Sequence, residues 1–213
     1  LSLVRLPHAG YSSRDYHPAS GGLSVAWLDF SRPLAASLER RVQPRFRLDR
    51  IDAAGHVRRP IVFYLDRATP EPVRSALLDG ANWWKSAFEK AGFKDAFRAE
   101  LLPEGADPMD VRYNLITWAH RATRGWSYGQ PIIDPRTGEI IRGNVTLGSQ
   151  RVRQDILIAE SLLAPYDKAN AAQLRQEAEQ MALARLRQLA AHEVGHALGF
   201  AHNFSASRHG NGS

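Results

Sequence analysis

The chain has 213 residues, of which 44% are hydrophobic and none is cysteine, and its formal net charge is +6. This suits one globular domain, or a domain with an extension, and excludes disulfides and thiolate metal ligands. A metal site would therefore use histidine and carboxylate ligands. No apolar run approaches the roughly 20 residues that span a bilayer. Residues 1–7 are too short for a signal peptide, which favours a mature or trimmed N-terminus.

Much of the positive charge lies in one short stretch. Such a cluster could bind nucleic acid or an anionic lipid surface. However, Arg45, Arg47 and Asp49 alternate with apolar residues, which is typical of a half-buried strand with a charged, solvated face. The sequence therefore predicts a strand over 45–51 and no nucleic-acid binding. The clustered arginines are Arg40, Arg41, Arg45, Arg47 and Arg50.

Residues 1–44 show little periodicity and contain several glycines and prolines. We expect an N-terminal extension that packs on the main domain, with one strand over 25–30. His8 and His17 fall in this region, but no spacing typical of metal ligands links them. They are interpreted as ordinary surface residues.

The next part of the chain predicts a mixed α and β domain. Strands are expected at 45–51, 61–66, 97–102, 111–119, 125–133 and 143–148, with turns at 52–55 and 134–138. Between the second and third lies a helix, with Thr69 as its cap and a Schellman ending at Gly92 and Phe93. The apolar spacing of this helix is three and four residues, which places its aromatic residues in the core.

Two further helices follow the predicted sheet. The first covers 152–163 and is ended by Pro165. The second begins at a cap formed by Asp167 or Asn170 and continues to about Leu198. Its core-facing residues are predicted to be Leu183, Leu186, Ala190, Val194 and Ala197.

The end of this long helix reads His-Glu-Val-Gly-His-Ala-Leu-Gly-Phe-Ala-His, the pattern H-E-x-x-H-x-x-G-x-x-H. His192 and His196 are four residues apart, so they share one helix face and can bind one ion. Gly199 lets the chain reverse and bring His202 round as a third ligand. Three imidazoles with an open fourth position are typical of one catalytic Zn²⁺. Glu193 is then placed to act as the catalytic base, not as a ligand.

Two alternatives for the ligand set depend on the tail, residues 203–213. It contains no Asp or Glu, so within this chain it offers no carboxylate as third ligand. His209 competes with His202, although the motif spacing and the turn at Gly199 favour His202.

The motif is that of the metzincin metallopeptidases, and in detail the chain resembles the bacterial met-zincin family of the cell envelope. The likeness covers about residues 45–207. It includes the motif itself and the Asn-Phe-Ser-Ala-Ser run that follows His202. Upstream, the stretches that resemble the family are 47–49, 60–66, 87–93 and 134–140. Metzincins place a methionine turn after the third histidine, whereas the methionines here, Met109 and Met181, both precede the motif.

The resemblance implies an α+β fold: a twisted mixed five-stranded sheet with an antiparallel edge strand, a backing helix and a long active-site helix. We expect residues 45–213 to form the catalytic domain without its C-terminal subdomain. The edge strand, expected within 124–133, would bind an extended peptide or protein substrate. The oligomeric state stays open, as does the activity of this portion alone.

The function implied is that of a zinc metalloendopeptidase, in which Glu193 assists attack by zinc-bound water. The resemblance also implies an extracytoplasmic location, in the periplasm, in the cell envelope or outside the cell. Two alternatives stay open at this point. One is a non-catalytic zinc-binding module, derived from a degenerate or truncated protease. The other is an interaction domain that uses the basic strand.

Overall fold

A computed structural model describes residues 3–122, 126–162 and 171–208. Seven strands and three α-helices lie in these ranges, with single 3₁₀ turns at Pro18–Ser20 and Phe204–Arg208. In chain order the elements are β1 (Val25–Leu28), β2 (Glu39–Val42), β3 (Ile61–Leu65), α1 (Val73–Lys90), β4 (Phe97–Leu101), β5 (Asn114–Ala119), β6 (Tyr128–Ile133), β7 (Ile140–Gly148), α2 (Gln150–Leu162) and α3 (Ala171–Ala197).

The main sheet has five strands in the order β4-β3-β5-β7-β6. β3 is parallel to β4 and β5, and β5 is parallel to β7. β6 lies at one edge and is antiparallel to β7. The expected α+β class with a mixed five-stranded sheet is confirmed, and so is an antiparallel edge strand within 124–133. Pro131 fits an edge strand because it has no N–H to donate to a ladder.

The core lies where the sheet meets α1 and α3. Phe63 of β3, Ile116 of β5, Leu77 of α1 and Leu186 of α3 are each 0% exposed. Burying a side chain of this size contributes about 1.5–3 kcal/mol. The apolar stripe predicted for α3 is confirmed: four of its five residues are buried, and Leu183 packs against the core. This packing fixes how α3 is rotated and therefore where its histidines point.

The helix α1 ends as predicted but begins differently. The Phe93 N–H donates to the Phe88 carbonyl, the Gly92 N–H donates to the Glu89 carbonyl, and Gly92 has φ 80°, which together form a Schellman motif. The prediction of Thr69 as cap is wrong. The helix begins at Val73, its N-cap is Pro72, and the Thr69 hydroxyl is buried without a hydrogen-bond partner.

The predicted strand over 45–51 is also wrong. This stretch makes two isolated bridges, Arg45 with Glu139 and Arg50 with Val57, and no ladder. Its alternation has a different cause, because Phe46 and Leu48 pack against the core while the Arg47 guanidinium binds the Glu139 carboxylate at 2.8 Å. The caps and terminator predicted around α2 and α3, Pro165, Asp167 and Asn170, lie outside the described residues.

Residues 3–44 contribute a second, two-stranded sheet in which β1 and β2 pair antiparallel. β2 was not expected, because three of its four residues are exposed and charged. The segment also contacts the chain just after α3, where Gly22 bridges to Phe200. The boundary between residues 44 and 45 stays a prediction. Among the described residues, no helix is both long enough and apolar enough to cross a membrane.

Candidate metal centre and active site

The last turns of α3 carry His192 and His196. Val194 and Ala197 of the same helix are 0% exposed and pack into the core. The opposite face of the helix is therefore directed towards solvent. His192 is therefore exposed and His196 half-buried, with their ring centroids 4.7 Å apart. The expectation that these two rings share one helix face is borne out by this contact.

The helix ends in a left-handed turn at Gly199, which has φ 101°. The Phe200 N–H donates to the Gly195 carbonyl at 3.0 Å, and the Gly199 N–H donates to the His196 carbonyl at 2.9 Å. These are the two hydrogen bonds of a Schellman motif. A Cβ at Gly199 would lie 2.6 Å from the Pro44 carbonyl oxygen, so both the φ value and the space require glycine. The predicted reversal is confirmed.

The reversal brings the third histidine of the motif onto the other two. The Nε2 atoms of His192, His196 and His202 are separated by 3.0, 3.1 and 3.2 Å. Two imidazole nitrogens on a tetrahedral Zn²⁺ lie about 3.3 Å apart, given Zn–N bonds of about 2.0–2.1 Å. The three rings therefore offer a donor set of the spacing that zinc requires. His209, the competing residue, lies outside the described residues.

The orientation of the His196 ring is set by the turn itself. Its Nδ1 lies 2.8 Å from the Phe200 carbonyl oxygen, which can only accept a hydrogen bond. The proton of the neutral ring is thus held on Nδ1, and the lone pair of Nε2 faces the other two histidines. Phe200 in turn stacks on Trp84, with ring centroids 5.2 Å apart, and Trp84 Nε1 donates to the Ala191 carbonyl at 2.8 Å.

The electrostatics of the site favour neutral histidine ligands. Partial desolvation by the surrounding protein lowers the pKa of His192, and the neighbouring His196 and His202 lower it further. A lower pKa keeps the imidazole neutral to more acidic pH, and only the neutral ring can bind a metal ion.

Glu193 directly follows the first histidine and is buried, whereas His192 is exposed. It is 6% exposed. Desolvation raises the pKa of its carboxyl group, and this outweighs His196 and a backbone hydrogen bond from Gly129, both of which lower it. A carboxylate with a raised pKa is suited to receiving a proton near neutral pH.

The edge strand β6 lies directly against this part of α3. A Cβ at Gly129 would stand 1.8 Å from the Glu193 carbonyl oxygen, so the strand and the helix approach each other backbone to backbone at that point. The edge strand and the helical part of the histidine motif are therefore direct neighbours.

Comparison with known proteins agrees with the motif. Residues 175–212 match the family model described as Met-zincin. This Met-zincin region covers all of α3 except its first four residues, together with the turn at Gly199 and the three histidines. No curated protein and no solved structure gave a match to the chain. The mixed sheet and three helices are compatible with a metzincin-like fold.

Three contacts of the Met-zincin region were not evident in the sequence. Gly129, Trp84 and the stretch 21–23 all touch it from distant parts of the chain. A glycine inside strand β6 was the one available signal, because glycine in a strand often marks close approach of another backbone.

The histidines of the N-terminal segment are not part of the site. His17 Nδ1 accepts a hydrogen bond from the Ala19 N–H, and the His8 carbonyl accepts one from Arg47. Within the described ranges, the group of acidic and histidine side chains spaced to hold a metal ion is His192, His196 and His202.

Proposed function

We propose that this protein is a zinc-dependent metalloendopeptidase. The observation that carries the proposal is the pairing of two features at the C-terminal end of α3. Three imidazole nitrogens converge within 3.0–3.2 Å, and Glu193, a buried carboxylate with a raised pKa, stands beside the first of them. The match of residues 175–212 to the Met-zincin family supports the same reaction class.

His192, His196 and His202 would hold the metal through Nε2. Three protein ligands leave one coordination position free, which is the arrangement of catalytic zinc sites. A zinc ion bound there would lower the pKa of its water to about 7 and polarise the carbonyl of the substrate. Glu193 does not serve as a ligand in this proposal, because it is buried next to the first histidine and is not part of the group of side chains spaced to hold a metal ion.

Glu193 is proposed as the catalytic residue that moves protons. Its carboxylate accepts a proton from the attacking water and then returns it to the leaving amine as the peptide bond breaks. Burial supports this role in two ways. It raises the pKa of the carboxyl group towards the working pH, and it removes the water that would compete for the proton.

The substrate is proposed to bind as an extended strand along β6. This strand has β7 on one side and no strand partner on the other among the described residues. Its backbone groups can therefore pair with a peptide, which gives affinity with little demand on sequence. The contact between Gly129 and Glu193 would place such a peptide beside the catalytic carboxylate.

An extracytoplasmic location is part of the proposal and rests on the family resemblance alone. A fusion of the full-length natural protein to a reporter that is active only outside the cytoplasm tests it. Reporter activity supports the location, and an inactive reporter with normal expression contradicts it.

The function is tested by metal analysis together with hydrolysis of a broad peptide library by the full-length protein. We expect one zinc per chain and peptide cleavage that is lost with a chelator and restored by zinc. Full zinc occupancy without cleavage would instead favour a non-catalytic zinc-binding module. Binding to polyanions that a chelator does not alter, without zinc, would favour an interaction domain.

A further inference from the structure

A short stretch of the N-terminal segment, Gly21–Leu23, runs antiparallel to the chain just after α3. The Leu23 N–H donates to the Gly199 carbonyl at 2.8 Å, and the Ala201 N–H donates to the Gly21 carbonyl at 2.9 Å. One hydrogen bond thus lies on each side of Phe200, which itself bridges to Gly22. We call Gly199–His202 the metal loop.

The metal loop controls two of the three proposed ligands. Its Phe200 carbonyl accepts the hydrogen bond from His196 Nδ1 at 2.8 Å and so aims the lone pair of Nε2. Ala201 directly precedes His202, so the direction of its backbone decides where that ring points. Residues 201–203 belong to no helix or strand. The bond from Ala201 to Gly21 therefore supplies restraint that regular secondary structure does not give there.

The stretch 21–23 also packs against another part of the N-terminal segment. Gly22 is buried, and a Cβ there would lie 2.3 Å from the side-chain amide of Gln43. The Gln43 N–H donates to the Arg14 carbonyl at 2.8 Å. Pro44, the next residue, packs its carbonyl against Gly199. The metal loop is thus enclosed by two parts of the N-terminal segment.

We propose that Gly21–Leu23 is a positioning segment of the metal centre, which holds His196 and His202 in the geometry that binds zinc. The inference rests on the proposed zinc binding and extends it to a part of the chain outside the matched family region. Partners that orient metal ligands typically change metal affinity by about 10- to 100-fold. The segment should therefore contribute to zinc affinity more than to the stability of the fold.

The test removes one backbone donor and leaves every side chain in place. In the full-length protein, Leu23 is replaced by its α-hydroxy analogue, so that an ester oxygen stands where the N–H was. The matched control makes the same change at Tyr16, whose N–H donates to the Arg41 carbonyl at 3.1 Å in the same segment. Zinc affinity is measured by competition with a chelator, and unfolding is measured on the metal-free proteins.

We expect the Leu23 ester to bind zinc about tenfold more weakly than the parent, and the Tyr16 ester to stay within about twofold of it. The two esters should lower the unfolding temperature of the metal-free protein by similar amounts. Equal zinc affinity for the two esters would overturn the inference and leave the proposed function standing. A parent that binds no zinc would overturn both.

Hydrogen exchange gives a second readout on the unmodified protein, independent of whether the esters fold. Coupling between two sites is reciprocal. If the hydrogen bonds of Gly21–Leu23 increase zinc affinity, bound zinc must stabilise those hydrogen bonds to the same extent. Zinc should slow the exchange of the Leu23 and Ala201 amides by about tenfold and leave the Tyr16 amide unchanged. Unchanged exchange at Leu23 and Ala201, with zinc bound, would contradict the inference.

Discussion

Gly129 and Glu193 meet so closely that a Cβ at position 129 would stand 1.8 Å from the Glu193 carbonyl oxygen. This contact joins the edge of the sheet to the turn of α3 that carries the proposed catalytic base. It also brings the Gly129 N–H to the Glu193 carboxylate. The position of the base therefore depends on a residue 64 positions earlier that has no side chain.

The first prediction is that Gly129→Ala damages both stability and activity. The added methyl meets backbone, so β6 or α3 must shift, and overpacking of this kind costs about 1–3 kcal/mol. Denaturant unfolding and peptide hydrolysis measure the two effects. The control is Ile132→Ala on the same strand, where the side chain is 40% exposed and a small loss of stability is expected. Equal stability of the Gly129→Ala variant and the parent would show that the contact is not required.

A second prediction concerns the turn at Gly199. Gly199→Val must place a branched side chain at φ 101°, with its Cβ 2.6 Å from the Pro44 carbonyl oxygen. The substitution should destabilise the chain by about 1 kcal/mol or more. It should also misplace His202. Gly105→Val is the matched control, since it carries a φ of 72° with no atom near its Cβ position. Zinc content should fall in the first variant and hold in the second. Normal zinc binding by Gly199→Val would refute the role of the turn.

The third prediction identifies the ligands. Metal analysis should show one zinc per chain in the parent and a loss of tight binding in His202→Ala, because the three Nε2 atoms act as one set. His209→Ala should keep its zinc. If zinc is instead lost on changing His209 and kept on changing His202, the third ligand is reassigned.

Features of the fold and of the candidate site could be predicted from the sequence where they depend on residues close together in the chain. The spacing of the histidines and the glycine after them are local, so the convergence of the three imidazole rings, the reversal and the core stripe of α3 were all predictable. The strand over 45–51 was not, because its alternation comes from Phe46 packing inward and Arg47 reaching Glu139, 92 residues away. β2 was missed because three of its residues are charged and exposed.

The contacts that complete the site escaped prediction for a physical reason. Leu23 donates a hydrogen bond to the metal loop through its backbone N–H. Gly129 can approach the Glu193 backbone closely because it has no side chain. Neither contact requires a particular chemical group in the sequence. The boundaries of β5 and β7 moved by three residues each, since strand ends are set by their neighbours in the sheet.

The fourth prediction is a pH dependence of stability. Burial raises the pKa of Glu193 above its ordinary value of 4.5. An acid whose pKa is raised by folding destabilises the folded state when it is ionised. The penalty is absent below about pH 4.5, grows as the pH rises through the unfolded pKa, and is complete above the folded pKa. Metal-free Glu193→Gln should therefore unfold at a higher temperature than the parent at pH 7, and this difference should shrink towards pH 4.

Glu179→Gln, an exposed change on the same helix, serves as the control for this stability measurement. The difference in unfolding temperature between metal-free Glu179→Gln and the metal-free parent should be nearly independent of pH. A metal-free parent that is as stable as Glu193→Gln at every pH would mean that the carboxylate carries no burial penalty.

The central claim is that Glu193 moves the proton while the histidines hold the zinc, and Glu193→Gln in the full-length protein tests it most directly. The change keeps the size and the helix propensity of the side chain but removes the proton acceptor. We predict one zinc per chain in both proteins and a fall in peptidase activity of at least about 100-fold, the lower range for general-base catalysis. Equal hydrolysis by parent and variant, with zinc bound in both, would contradict the account.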